Sequence, residues 1–479
     1  MMRFTLVMAR EMLIALALLF LSIGTAMLTS CGGGTGAATK SPPPPSAKSQ
    51  WTWEGGYDLP DQVGSYGTLG VAAAQNLPDP RESAVCWTDA QGNFWLFGGD
   101  SDLPQSGNQV LDDVWKYSDG QWTWEGGTQT FNSPGNYGTL GVASAQNLPP
   151  ARASAASWTD QQGNLWIFGG GSTPTNDPVT GGTLNDLWRY SNGVWTWMGG
   201  PSTAQQSSTP RGIYGTQGQP LPTNLPGPRF GAASWTDTQG NLWMFGGSGY
   251  DAVGHNDLLG DLWKYSNGAW TWVSGANTID STRIYGTQGV AAPANTPGAR
   301  YGATYWSDAQ GNFWLFGGIT VTDTTPNSRF GINSYVFLND LWEYTQGQWV
   351  WVSGSSAANQ PGSYGTKGVP AASNTPGARA ESSVWVDSSG NFWLFGGGFN
   401  DLWRFANGQW TWMAGSSQGN PVGSYGTLGT PSPANVPPGR SSACAWVDTS
   451  GNLWLFGGAG YDPTQTYFGA FNDLWKYTP

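Results

Sequence analysis

Six arginines, six aspartates and six tyrosines recur at matched places along this chain. They are its densest supply of chemically active side chains. The arginines are Arg81, Arg152, Arg229, Arg300, Arg379 and Arg440. Each precedes a D-[LV]-W motif whose aspartate is Asp113, Asp186, Asp261, Asp340, Asp401 or Asp473. The tyrosines open Y-G-T motifs at Tyr66, Tyr137, Tyr214, Tyr285, Tyr364 and Tyr425. A ring of guanidinium groups would suit an anionic sugar, and a collar of phenols would suit carbohydrate. A residue present in every copy of a unit is first of all a part of the unit, however. A buried guanidinium also needs a carboxylate partner. The favoured reading pairs each Arg with its Asp and uses each Tyr to pin a loop.

Function is better sought where the repetition breaks. Glu82 and Glu381 follow their arginines by one and two residues, where most copies carry small or aromatic residues. They are the candidate catalytic groups if the chain is an enzyme. Phe230 and Tyr301 stand directly after Arg229 and Arg300. With the loop residues Arg211, Arg283, Arg329 and His255, they form the candidate ligand-binding set. His255 is the only histidine, so a zinc site of several His and Cys is excluded. A Ser-His-Asp triad would have to use His255, and no G-x-S-x-G elbow accompanies it. Loop aspartates (Asp100 with Asp102, or Asp251 with Asp257) offer only a weak Ca²⁺ pattern. No cofactor and no metal is expected.

The elements that hold these residues come from one unit repeated six times. All 30 tryptophans fall at five positions of it. Each unit contains four short strands. In the second they read as Ala153 to Thr159, Asn164 to Gly170, Asp186 to Ser191 and Val194 to Met198. Leu165-Trp166-Ile167-Phe168 is apolar at every position, so both faces of its sheet must be covered. The first and second strands are joined by D-x-x-G-N, and the third and fourth by Asn-Gly at Asn192, Asn267 and Asn407, a strong hairpin signal. The chain ends after a third strand, and an orphan fourth strand stands at Trp51-Thr52-Trp53. The expected fold is therefore an all-β, six-bladed propeller with four antiparallel strands per blade, whose N-terminal strand completes the last blade and closes the ring.

This pattern resembles the Kelch family of β-propellers. The likeness lies in the Arg heading the first strand, the Gly-Gly ending the second and the aromatic third and fourth strands. The repeats, 61 to 79 residues, exceed the ~50 usual for Kelch. The excess lies in loops after Gly-Gly and after W-x-W, which in propellers emerge on one face. Unit five has almost no loop after Gly-Gly (Gly398, Phe399), which leaves a gap in the rim. Galactose oxidase is a Kelch propeller, but its copper site needs two histidines, so copper-radical oxidation is excluded. The resemblance to bacterial six-bladed Kelch sugar epimerases implies a metal-independent alternative, with Glu381 or Glu82 as acid/base and a rim Arg holding a carboxylate.

The N-terminus is read as a targeting segment. Arg3 and Arg10 precede an apolar run from Met12 to about Leu28, and Leu28-Thr29-Ser30-Cys31 resembles a bacterial lipoprotein signal with Cys31 as the lipidated residue. The domains are then a signal peptide (1–30), a Gly/Pro/Ser-rich tether (31–49) and the propeller (50–479). Gly32 after the Cys favours the outer membrane. A formal net charge of −12 disfavours nucleic acid and anionic membrane surfaces. Cys86 and Cys444 could meet across the seam of the ring. A disulfide there needs an oxidising compartment, and two unpaired buried thiols are the favoured reading. The expected function is a monomeric, lipid-anchored envelope scaffold. It would bind a glycan or a protein through the loops of one face.

Overall fold

The computed structural model describes residues 49–103, 109–172, 182–202, 211–322, 334–419 and 421–479. Cys31 and Arg329 lie outside these residues, as do the signal and nearly all of the tether. Five sheets contain four antiparallel strands in sequence order, from inner to outer edge, and the third carries an added two-residue strand; the sixth takes its outer strand from the N-terminal segment, and a short three-stranded sheet (Arg440–Ser441, Ala459–Tyr461, Phe468–Ala470) extends its inner end. In blade two the strands are Ala156–Thr159, Leu165–Ser172, Gly182–Ser191 and Val194–Gly199. The second and third strands run past Gly-Gly and are longer than the sequence pattern suggested. A register shift between Phe168 and Gly170 lets them continue beyond the glycines. Asn192 and Gly193 both have positive φ (51° and 79°), as an Asn-Gly hairpin requires.

Blade six is built from both ends of the described chain. Cys444–Val447, Leu453–Phe456 and Leu474–Thr478 are completed by Gln50–Gly55, with Trp51 opposite Tyr477 and Trp53 opposite Trp475. The inner strands then close on themselves through six backbone hydrogen bonds. Ser154 N–H donates to Ser83 O, Gly231 to Ser154, Gly302 to Gly231, Glu381 to Gly302, Ser442 to Glu381, and Ser83 to Ser442, at 2.7–3.0 Å. All six residues are left-handed, with φ from 54° to 64°. The molecule is a β-propeller around this ring.

The core lies in the seams between blades. Each Phe of Phe-Gly-Gly packs on the first Trp of W-x-W in the next blade, as in Phe97–Trp195 at 4.9 Å and Trp51–Phe395 at 5.5 Å. Outer edges would otherwise expose unpaired backbone. Each is covered by the Y-G-T loop, as where Gly70 N–H donates to Trp124 O at 2.8 Å and Asn76 Nδ2 to Trp122 O at 3.0 Å. Blade five departs from the pattern. Its second and third strands, Phe392–Gly396 and Leu402–Ala406, are short, whereas those of blade four are Phe313–Val321 and Tyr335–Thr345. The rim is thus notched at blade five.

One expectation is corrected. Cys86 and Cys444 are joined as a disulfide, with Cα atoms 5.8 Å apart. They lie on neighbouring inner strands of blades one and six, whose ring bond from Ser83 to Ser442 brings the two backbones within bridging range.

Candidate functional site

The arginines, aspartates and tyrosines that recur in every blade are committed to one another. In blade one, Arg81 meets Asp113 through two parallel bonds, Nη1 to Oδ1 at 2.6 Å and Nη2 to Oδ2 at 2.7 Å. Tyr66 OH and Trp115 Nε1 also donate to Oδ2, each at 2.7 Å. The remaining donors of Arg81 reach Asp79 O and Gly98 O. The same clamp recurs in all six blades. Burial alone would raise the Asp261 carboxyl, but Arg229, Tyr214 and Trp263 together hold it below its ordinary range. The arginines therefore offer no anion ring, and the tyrosines no collar for a sugar. The D-x-x-G-N turns are equally closed. Burial pushes Asp89 up, but bonds from Trp95, Asn93 and Gln91 hold it below the usual value.

What remains near the axis is asymmetric. Tyr301, on blade four, donates its hydroxyl to Glu381 Oε1 on blade five. Phe230, on blade three, meets Tyr301 edge-on at 5.5 Å. Tyr301 and Phe230 are 4% and 5% exposed. Two glycines of the ring make room for the pair. A Cβ on Gly231 would collide with the Tyr301 ring, and one on Gly302 would press on Glu381 Cγ at 3.0 Å. Burial raises the Glu381 carboxyl above its ordinary range, although hydrogen bonds from Tyr301 and Ser442 oppose the shift. The Tyr301 phenol is pushed well up by burial, then by the Glu381 carboxylate, with Glu82 adding its charge. Glu381 also lines a cavity of about 270 Å³ that follows the inner strands, with Ser83, Ser154, Thr304 and Tyr305 in its wall.

The structure thus brings together four of the residues singled out from the sequence: Glu381, Tyr301, Phe230 and Glu82. Glu381, Tyr301 and Phe230 are in contact at the ring, beside the notch of blade five, while Glu82 acts on Tyr301 through its charge. The others lie elsewhere. His255 is exposed, with Nδ1 3.3 Å from Asp251 Oδ2. Arg211 is exposed, and its neighbour Gly212 donates to Asp251 O at 3.0 Å. Arg283 is partly buried in the loop between blades three and four. These three belong to loops of blade three, which are tied together by Ala252 N–H to Asn277 O at 3.1 Å. Among the described residues no group of three or more His, Cys, Asp and Glu is placed to hold a metal ion. The sequence reading passed over the six N-x-P asparagines, Asn76, Asn147, Asn224, Asn295, Asn374 and Asn435, which cap the outer edges. Their strict recurrence was the available signal.

A closed ring of four-stranded sheets with an asymmetric channel mouth defines the class, a β-propeller. No known protein-family model matches the chain, and no curated protein does. Among solved structures it is similar to YjhT, at 12% identity and a TM-score of 0.46 over 83% of this chain and 95% of that one. It is also similar to a fungal alcohol oxidase of the AA5 family in complex with copper, at 11% identity and 0.44 over 87% and 77%. A third likeness is the GH93 α-L-arabinofuranosidase of Fusarium graminearum with arabinobiose, at 11% identity and 0.46 over 89% and 98%.

Proposed function

We propose that this chain is a Kelch-type binding propeller, lipid-anchored through Cys31 at the bacterial cell envelope. It recognises a glycan or a protein at the ring end of its channel. One observation carries the reading. The repeated charged and phenolic groups are consumed by the clamps, while Tyr301 and Glu381 break the symmetry at the axis beside the only notch in the described rim. Phe230 packs edge-on against Tyr301 from behind, and the inner-strand serines supply hydroxyls. A mouth of carboxylate, phenol and hydroxyl suits a polyhydroxylated ligand. A glycan array and an envelope pull-down with the soluble propeller test this. Capture that is lost in Glu381→Ala and Tyr301→Ala supports it. No ligand from either screen, or capture indifferent to both variants, removes the mouth as the site.

The raised carboxyl of Glu381 favours one second reading, a metal-independent sugar-modifying enzyme. A buried carboxyl whose affinity for a proton is raised, and which is bonded to a phenol, can serve as a proton donor or acceptor. Loss of a screened sugar-isomerising activity in Glu381→Gln would support it. Unchanged activity would take Glu381 out of the mechanism.

A further inference from the structure

A second cavity, of about 400 Å³, lies on the outside of the ring between blades five and six. Its walls are the end of the outer strand of blade five, Gln409–Ala414, and the loop that covers the N-terminal strand. Asn400 forms part of it and is 3% exposed. The equivalent residue, one before the clamp aspartate, is also asparagine in blades two, four and six. There the side-chain amide nitrogen is spoken for. Asn185 donates to Pro226 O, Asn339 to Pro376 O and Asn472 to Pro78 O, each at 3.3 Å. Asn400 is different. Its Oδ1 accepts from Ser416 N–H at 2.9 Å, which fixes the orientation of the amide. Its Nδ2 has no hydrogen-bond partner among the described residues, and the residue faces the cavity.

Lys367 stands at the same cavity. The equivalent position of the other Y-G-T loops holds Leu69, Leu140, Gln217, Gln288 or Leu428. Lys367 Nζ lies 4.3 Å from the centre of the Trp412 ring and donates to Gly415 O at 3.1 Å, which leaves two N–H groups. Among the described residues no carboxylate lines the cavity, although the chain as a whole is acidic. An unused amide donor, an ammonium and nearby Ser424 and Ser432 favour a ligand rich in acceptors. The volume falls in the range of small-molecule sites. We propose that this cleft binds a small hydroxylated carboxylic acid, with Asn400 Nδ2 and Lys367 Nζ holding the carboxylate. The proposal is independent of the channel mouth.

Titration calorimetry of the soluble propeller with glucuronate, and with glucose as the uncharged control, tests it. Glucuronate should bind more tightly than glucose and weaken as salt is raised. Asn400→Asp keeps an acceptor for Ser416 but turns the free donor into an anion. Lys367→Gln removes the charge at an exposed site and leaves folding intact. Each should weaken glucuronate by about tenfold or more, the scale of a hydrogen bond to a charged group. Absence of glucuronate binding at millimolar concentration, or binding indifferent to both Asn400→Asp and Lys367→Gln, overturns the proposal.

Discussion

The clamp of blade two and the channel mouth both bury a carboxylate against a tyrosine, but only one of them supplies a cation. Asp186 receives two bonds from Arg152 and one each from Tyr137 and Trp188. Glu381 receives Tyr301 and Ser442 and no basic side chain. The contrast separates architecture from function. A carboxylate with a full set of donors and a counter-charge is fixed as an anion and has no capacity left for a ligand. One held by two hydroxyls keeps a raised affinity for a proton and some capacity to bind.

The largest expected effect comes from breaking the first member of this pair. Asp186→Asn keeps the shape of the side chain but leaves Arg152 buried without a counter-charge. It should cost about 3–5 kcal/mol of stability, read as a lower denaturant midpoint. Glu381→Gln leaves no buried charge behind, so it should not approach that cost. Equal losses at the two sites would erase the distinction.

Next in size is the fit between Tyr301 and the ring. Ser83, Ser154 and Ser442 show that the left-handed ring position accepts serine. Gly231→Ser should nonetheless cost about 1–3 kcal/mol, because its Cβ meets the Tyr301 ring. In a Tyr301→Ala background most of that cost should vanish. A penalty that persists there would place the constraint in the backbone and not in the aromatic bar.

Glu381 itself gives a smaller, pH-dependent effect. Its folded carboxyl titrates above the ordinary range of about 4.3. Its contribution to stability is therefore fully present in acid and is lost as pH rises through the folded value. Glu381→Gln should flatten that part of the pH profile and raise the stability near neutrality by about 1 kcal/mol, the scale of one buried polar contact. Tyr301→Phe should move the titration further upward by removing a bond to the charged form. A profile unchanged in Glu381→Gln would assign the slope to another group.

Much of this was legible in the sequence. The five fixed tryptophan positions and the orphan W-x-W imposed the sheets and their closure, and the strict spacing of Arg and Asp marked the clamps. Glu381, Tyr301, Phe230 and Glu82 stood out because they broke the repeat, and the fold gathered them. Two kinds of fact were hidden. The extensions of the second and third strands pair loop sequence whose composition varies between blades, so no period announced them. The dependence of Tyr301 on Gly231 and of Glu381 on Gly302 is a contact between neighbouring blades, invisible when each unit is read on its own. The pairing of Cys86 with Cys444 needed the distance between inner strands, which spacing along the chain does not contain.

Asp112 is the finest probe of the same contrast, because it is a carboxylate where most blades use an amide. It is fully buried beside the clamp of blade one. Its Oδ1 accepts from Thr128 N and Oγ1, each at 2.9 Å, while Oδ2 has no partner. Burial raises its carboxyl, against hydrogen bonding from Ser133 and Thr128, and neighbouring Asp113 adds to the rise. In blades two, four and six the asparagine at this place donates to the proline carbonyl three residues before the arginine, and the equivalent here is Pro149. Asp112→Asn would supply that donor without disturbing Thr128. It should stabilise the protein by about 0.5–1.5 kcal/mol at neutral pH, the worth of one hydrogen bond. The gain should shrink in acid, because a protonated Asp112 can donate the same bond, and its raised folded value places that loss above the ordinary carboxylate range. A gain independent of pH would mean that the amide acts through packing alone, and the clamp would then owe nothing to the charge state of its neighbour.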